Sequence, residues 1–317
     1  MFNWFKKKNN IVVSDAYLEE EEQMEEKEVR FPELENKIFF KEKDRVRPFP
    51  EQYEDRDTGK IIYFQKDKYF QSIWEELNIS GIGDKIERIE IVSDLDDAGE
   101  CAVLNEDAKI SITIRVRSFK MGINYGGYIH EYDEEKNREF CEVLAHELIH
   151  AKDSVDIHSK YGNEEYKSIR EDKITNLAWI ILGEYSACRK ISERFNTFDT
   201  HEQIRISTAK KNITNKLTNG DGFFSPIVSL YHLNYAIATR AAHADVSEAE
   251  SRYLETDNED EKAFIDSMRK LFNTYYNLQP LNKVQYEELG TAMIIEFLTK
   301  ILKISDASMA SYIPAFQ

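Results

Sequence analysis

The sequence predicts an α+β protein, a strand-bearing first part followed by an almost wholly helical second half. Three observations predict it. Ile110, Ile112, Ile114 and Val116 alternate with Ser111, Thr113 and Arg115, the period-two pattern of a strand with one buried face. FCEVLAHELIHAKD and NLAWIILGEYSACRKISERF carry apolar residues at helical spacing. Beyond Asn196 the spacing stays helical over about 203 to 218 and then in PIVSLYHLNYAIATRAAHADV, EDEKAFIDSMRKLFNTYYNL and VQYEELGTAMIIEFLTKILK.

Composition bounds the function. The 317 residues, 41% hydrophobic and 12% aromatic, suffice for a real core in one large domain or two. Lys and Arg number 42 against 59 Asp and Glu, and the net charge of −17 argues against general affinity for nucleic-acid phosphates or anionic membrane surfaces. It hints only faintly at a cationic or neutral target. The opening MFNWFKKKNNIVVSD lacks an apolar signal core and a small-residue cleavage site, and no stretch approaches the roughly 20 apolar residues of a membrane span. Cys101, Cys141 and Cys188, an odd number at wide spacing, are expected as reduced thiols acting as small hydrophobes, which makes the cytoplasm the expected location.

Residues 1–58 are expected to form an acidic extension, helical or partly disordered, because the stretch from 14 to 60 is strongly polar and contains LEEEEQMEEKE and the prolines of FPE and RPFPE. KIIYF then reads as a strand, DKYFQSIWEELNI as a helix capped by Asp67, and DKIERIEIVSD as a strand ending in an acidic turn. DLDDAGE begins like a calcium loop, but Ala98 and Asn105 occupy positions that need ligands. After the strand at 109–116 comes the glycine-containing loop GINYGGYIHEYD, a helix over about Glu134 to Asp153, and a polar connection from about Ser154 to Arg170. THEQIRISTAKKNITNKLTNGDGFF is the expected seam before a helical domain over 201–317. No phosphate-binding glycine loop and no G-x-S-x-G is present.

HELIH at 146–150 carries the chemistry. On a helix, residues i and i+4 point the same way, so His146 and His150 can offer two imidazole nitrogens to one ion, with Glu147 one residue round the helix. Zinc suits two nitrogens and a carboxylate with one position left for water, and Glu147 is then the general base. The bland alternative is a pair of hydrogen-bonded core histidines.

A second anomaly lies downstream. Ile174, Leu177, Ile181, Cys188 and Ile191 form one apolar stripe, and Glu184 falls inside it. A buried carboxylate needs a cation, and the two histidines need a third ligand, so Glu184 is the candidate; a salt bridge to a buried Arg or Lys is its alternative. For oxyanion stabilisation the candidates are Tyr185, His232 and Tyr235, each competing with a plain packing role. His130 and His158 flank the helix but are not favoured as ligands.

HELIH followed by GEYSA resembles the gluzincin type of zinc metallopeptidase, and the E-x-x-A form at Glu184 to Ala187 is similar to metallopeptidases of the ImmA/IrrE kind. The resemblance covers about residues 105 to 195. It implies a zincin-like domain over 59–200, with a small mixed sheet packed on the active-site helix. His146, His150 and Glu184 would be the Zn2+ ligands, Glu147 the base, and the strand at 109–116 the sheet edge to which an extended peptide adds. No helix-turn-helix and no counterpart of the region after 200 is seen. The expected activity is peptide-bond hydrolysis in a peptide or protein substrate, without nucleic acid or membrane partners. Two alternatives stand beside it: a non-catalytic interaction protein whose zinc staples two helices of a zincin scaffold, and a helical structural protein in which HELIH is coincidental.

Overall fold

A five-stranded mixed sheet is built around runs of isoleucine. A computed structural model describes residues 31–42, 45–49, 52–54, 61–63, 66–92, 95, 98–106, 109–117, 134–196, 204–220, 224–247 and 256–317. The first half runs α1 (Pro32–Glu35), β1 (Ile38–Glu42), β2 (Arg45–Pro48), β3 (Gln52–Glu54), β4 (Ile61–Tyr63), α2 (Lys66–Ser80), β5 (Ile86–Val92), β6 (Gly99–Glu106) and β7 (Lys109–Arg117). The helices α3 (Glu134–Tyr161), α4 (Asn163–Glu171), α5 (Lys173–Phe195), α6 (Ile206–Asn219), α7 (Pro226–Val246), α8 (Glu259–Tyr276), α9 (Lys283–Lys300) and α10 (Asp306–Met309) follow, and a 3-10 turn at Ile313–Phe316 ends the chain. The α+β class expected from the sequence is what the structure shows, and no described helix is long and apolar enough to cross a membrane.

The sheet order is β2-β1-β5-β7-β6. β1, β5 and β7 are mutually parallel, while β2 and β6 pair antiparallel at the two edges. Ile112, Ile114 and Val116 of β7 are buried and Thr113 and Arg115 are not, as the alternation requires; the side chain of Ile110 lies outside the described residues. The placement of this strand corrects an expectation. β7 is internal, and the edge near the helices is β6, Gly99 paired to Val116 through Glu106 paired to Lys109. GECAVLNE has no clean alternation, so its sequence conceals a strand.

Residues expected in the acidic extension contribute α1, β1, β2 and β3, so the sheet begins well before residue 59. The glutamate run, His130 and the three aspartates of DLDDAGE lie outside the described residues. The connection expected over Ser154 to Arg170 is also different: α3 continues to Tyr161, turns at Gly162 with φ 87, and α4 follows. Ile157, Tyr166 and Ile169 are buried there, an apolar face dispersed among polar residues. Asp67, the expected cap of α2, stands in its first turn. Asp172 does cap α5, accepting from the Ile174 and Thr175 amides at 3.0 and 2.9 Å.

Two hydrophobic cores meet along α3. The first joins the sheet to α2 and to Phe140, Cys141, Leu144, Leu148 and Ala151 of α3. The second surrounds α5 with α6, α7, α8 and α9, through Ile181, Leu182, Ile237, Phe264, Met293 and Phe297 among others. Each such side chain contributes on the order of 1.5–3 kcal/mol relative to exposure. Because α5 shares one core with the helices beyond residue 201, the seam expected there does not separate two cores, and Phe31–Gln317 forms one compact unit.

Candidate metal centre

His146 and His150 project from α3 toward α5, which carries Glu184. The two Nε2 atoms stand 3.0 Å apart. Glu184 Oε2 is 3.5 Å from His146 Nε2, and Glu184 Oε1 is 3.3 Å from His150 Nε2. Bonds of about 2.0–2.2 Å at tetrahedral angles place neighbouring ligand atoms about 3.4 Å apart, so the three distances suit donors around one small cation. Glu184 Oε2 is buried and makes no hydrogen bond among the described residues. An orphaned carboxylate oxygen facing two imidazole nitrogens is costly unless a positive charge lies between them. These residues can hold a metal ion.

Electrostatics are consistent with that arrangement. Burial raises the Glu184 carboxyl, but His150 and His146 reverse this and hold it far below the carboxylate range. Burial depresses both imidazoles; contact of His146 with Cys188 and Glu184 raises it to about 10, and Glu184 raises His150 to about 9. Three partly buried groups thus share one demand for positive charge, which protons or a metal ion can meet. Glu147 is also buried, and burial raises its carboxyl against the opposing pull of His146 and His150, with Glu184 and Glu100 adding to the rise. A carboxylate with a raised pKa is suited to accepting a proton.

Two glycines make the geometry possible. A Cβ at Gly99 would lie 2.7 Å from Glu147 Oε1 and 2.7 Å from Val143 Cγ1, so the edge strand passes against the base only because residue 99 has no side chain. A Cβ at Gly183 would lie 3.3 Å from His150 Nδ1. The centre opens into a cleft of about 950 Å³ walled by β6, α3, α5 and α7.

Comparison of the chain with family models, curated proteins and solved structures gives no match.

Of the residues singled out from sequence, His146, His150 and Glu184 come together and Glu147 lines the same cleft. Tyr185 does not serve the cleft. Its side chain is fully buried against Phe272 and Tyr276, and its hydroxyl donates to the Asp245 carboxylate and accepts from Arg189 at 3.1 Å. It is a core residue on a different face of α5 from the ligand, one helical position (about 100°) round from Glu184. His232 lines the cleft from the exposed side of α7, packed on Tyr231 and Phe224. Tyr235, one turn further along α7, lies beside Glu184, and burial and that carboxylate keep its phenol protonated. His158 is inside α3, edge-on to Tyr166.

Four residues at the centre or lining its cleft were not assigned there from the sequence: Gly99, Gly183, Cys188 and His243. Gly99 and Gly183 act through close approaches between elements that are remote in sequence. Cys188 follows Glu184 by one turn and contacts His146; burial raises its thiol, which stays protonated in spite of the imidazole. His243 lines the cleft and is hydrogen-bonded through Nδ1 to Ser192. For Cys188 a signal existed: position i+4 from a candidate ligand shares its face.

Proposed function

We propose that this protein is a zinc-dependent metallopeptidase of zincin-like architecture that hydrolyses a peptide or protein bond. The observation that carries the reading is the convergence of His146, His150 and Glu184 at 3.0–3.5 Å, with Glu147 buried beside them and β6, the edge strand among the described residues, running past. Zn2+ held by those three side chains would lower the pKa of a bound water and polarise a substrate carbonyl. Glu147 accepts a proton from the attacking water and passes it to the leaving amine. Tyr235 carries a neutral hydroxyl beside Glu184 and can donate to the developing oxyanion. β6 offers outward-facing backbone groups to an extended chain, aligning it antiparallel or parallel to the sheet edge.

The test is hydrolysis of an unfolded protein by the zinc-loaded full chain, with Glu147→Gln as comparison. A general base of this kind is worth about 10²–10⁴-fold, so the variant should keep zinc and lose at least about a hundredfold in rate. Absence of hydrolysis by the wild type, or an undiminished rate in the variant, is incompatible with the proposal.

One observation favours a second reading. The Cys188 thiol contacts His146, and as a thiolate it would supply a fourth protein donor and close the site into a structural staple. Cobalt substitution separates the two, since a sulfur-to-metal charge-transfer band appears only with Cys188 bound.

A further inference from the structure

Outside the metal centre, the charged groups that line the cleft are compensated from within the protein, with one exception. Glu100 pairs with Arg115 at 2.9 Å, Glu139 with Lys136 at 2.9 Å, Glu142 with Arg138 at 3.2 Å, and Asp153 faces Lys190 at 4.0 Å. Arg170 is the lone arginine or lysine among the described residues lining the cleft, and it has no carboxylate partner among them.

Its position is fixed nonetheless. The guanidinium carbon lies 5.5 Å from the Tyr166 ring centroid and 5.6 Å from that of Trp179, two rings that themselves meet edge to face at 6.3 Å. Nη1 points to the Tyr166 hydroxyl at 3.5 Å, too long for a strong bond. Tyr166 is buried, so stacking on it holds the planar fork while leaving its donors largely unspent. In a chain of net charge −17, a guanidinium kept clear of every described carboxylate is a conspicuous placement. Cys101, on β6 two residues from Gly99, is within electrostatic reach of both Glu147 and Arg170.

We infer that Arg170 anchors a carboxylate of the substrate, so that the enzyme acts on peptides bearing an acidic group a few residues from the bond that is cut. The inference rests on the hydrolytic reading above. Cys101 of β6 is within electrostatic reach of both Glu147 and Arg170, and an extended peptide beside that strand, rising about 3.3 Å per residue, spans such a separation in a few residues. A planar guanidinium takes a carboxylate through two parallel N–H···O bonds. The carboxylate can belong to an Asp or Glu side chain or to the peptide's C-terminus.

The test uses zinc-loaded full-length Glu147→Gln protein, which should bind without cutting, and rhodamine-labelled alanine-glycine octapeptides read by fluorescence anisotropy. The peptides carry Glu or Gln at successive positions, each with a free or an amidated C-terminus. At one position Glu should bind about tenfold or more tighter than Gln, or, if the terminus is the source, the free acid tighter than the amide by as much. Adding Arg170→Ala should reduce that ratio below about twofold, and Arg170→Lys should restore part of it. Arg170 is exposed, so its substitution leaves the core intact, which circular dichroism checks. Binding that ignores the carboxylate, no binding of any peptide, or an unchanged ratio in Arg170→Ala each overturns the inference. Arg170-dependent binding without cleavage by the wild type would instead remove the hydrolytic reading and leave the anchor.

Discussion

His146 Nε2 and His150 Nε2 stand 3.0 Å apart, and both face the Glu184 carboxylate. Three groups that each gain from a positive charge are thus packed around one point between α3 and α5. Ordinary helix packing does not demand such an arrangement, since either histidine could turn toward a backbone carbonyl.

Gly183 sets how closely α5 approaches His150. In Gly183→Ala the new methyl lies 3.3 Å from His150 Nδ1 and pushes the ring. Alanine is favoured over glycine in a helix by about 1 kcal/mol, so the metal-free protein should be no less stable. Zinc affinity should fall about tenfold, as for changes that reorient a ligand. Thermal unfolding in chelator and a zinc competition titration check the two halves; unchanged affinity would show that Gly183 does not position His150.

Gly99→Ala acts on the base instead. The methyl would sit 2.7 Å from Glu147 Oε1, and Glu147 or β6 must shift. Misplacing a catalytic group by about 1 Å costs on the order of a hundredfold in rate. The variant should retain zinc and lose activity to that extent in the hydrolysis assay.

Gly290→Ala is a stability experiment remote from the chemistry. A Cβ there would meet Ile174 O at 2.5 Å and Ile174 Cγ2 at 2.7 Å, where α9 crosses α5. Overpacking of this kind costs about 1–3 kcal/mol, against a gain of about 1 kcal/mol in helix propensity. The denaturation midpoint should fall; a rise would mean that the two helices separate at little cost.

Glu90 sets a pH dependence. Burial raises its carboxyl, but hydrogen bonds from Arg115 at 3.0 Å and Arg88 at 3.2 Å outweigh this and hold it below the ordinary 4.5. A depressed carboxyl contributes stability above its unfolded value, and that stability is lost as pH falls through the folded value. Glu90→Gln should therefore be about 1.5–3 kcal/mol less stable than the wild type at pH 7, with the gap narrowing below about pH 4.5. Urea unfolding at pH 7 and at pH 3.5 measures the gap.

Much of the helical framework and the convergence on the centre was legible, because both rest on short-range periodicity. His146 and His150 share a face by spacing alone, and Glu184 interrupts an apolar stripe. β7 showed itself through Ile112, Ile114 and Val116. The edge strand β6 did not, because GECAVLNE must place Gly99 against α3 and therefore breaks the alternation that marks a strand. β1 was hidden in a charged, proline-bearing stretch whose apolar residues Ile38 and Phe40 are buried in the core that the sheet shares with α2 and α3. α4 was missed because Tyr166 and Ile169 are two apolar residues among seven polar ones. Tyr185 looked available to the centre because it adjoins Glu184, yet one residue along a helix is a turn of about 100°. Arg170 is silent in sequence because its meaning lies in what it is not paired with.

The central claim is that His146, His150 and Glu184 hold a zinc ion which Glu147 does not ligate. Metal content per chain, measured by elemental analysis on wild type, His150→Ala and Glu147→Gln purified side by side with zinc supplied, tests it most directly. The account predicts one zinc in the wild type, one in Glu147→Gln and almost none in His150→Ala. A wild type without zinc, or a His150→Ala protein that keeps it, would contradict the account.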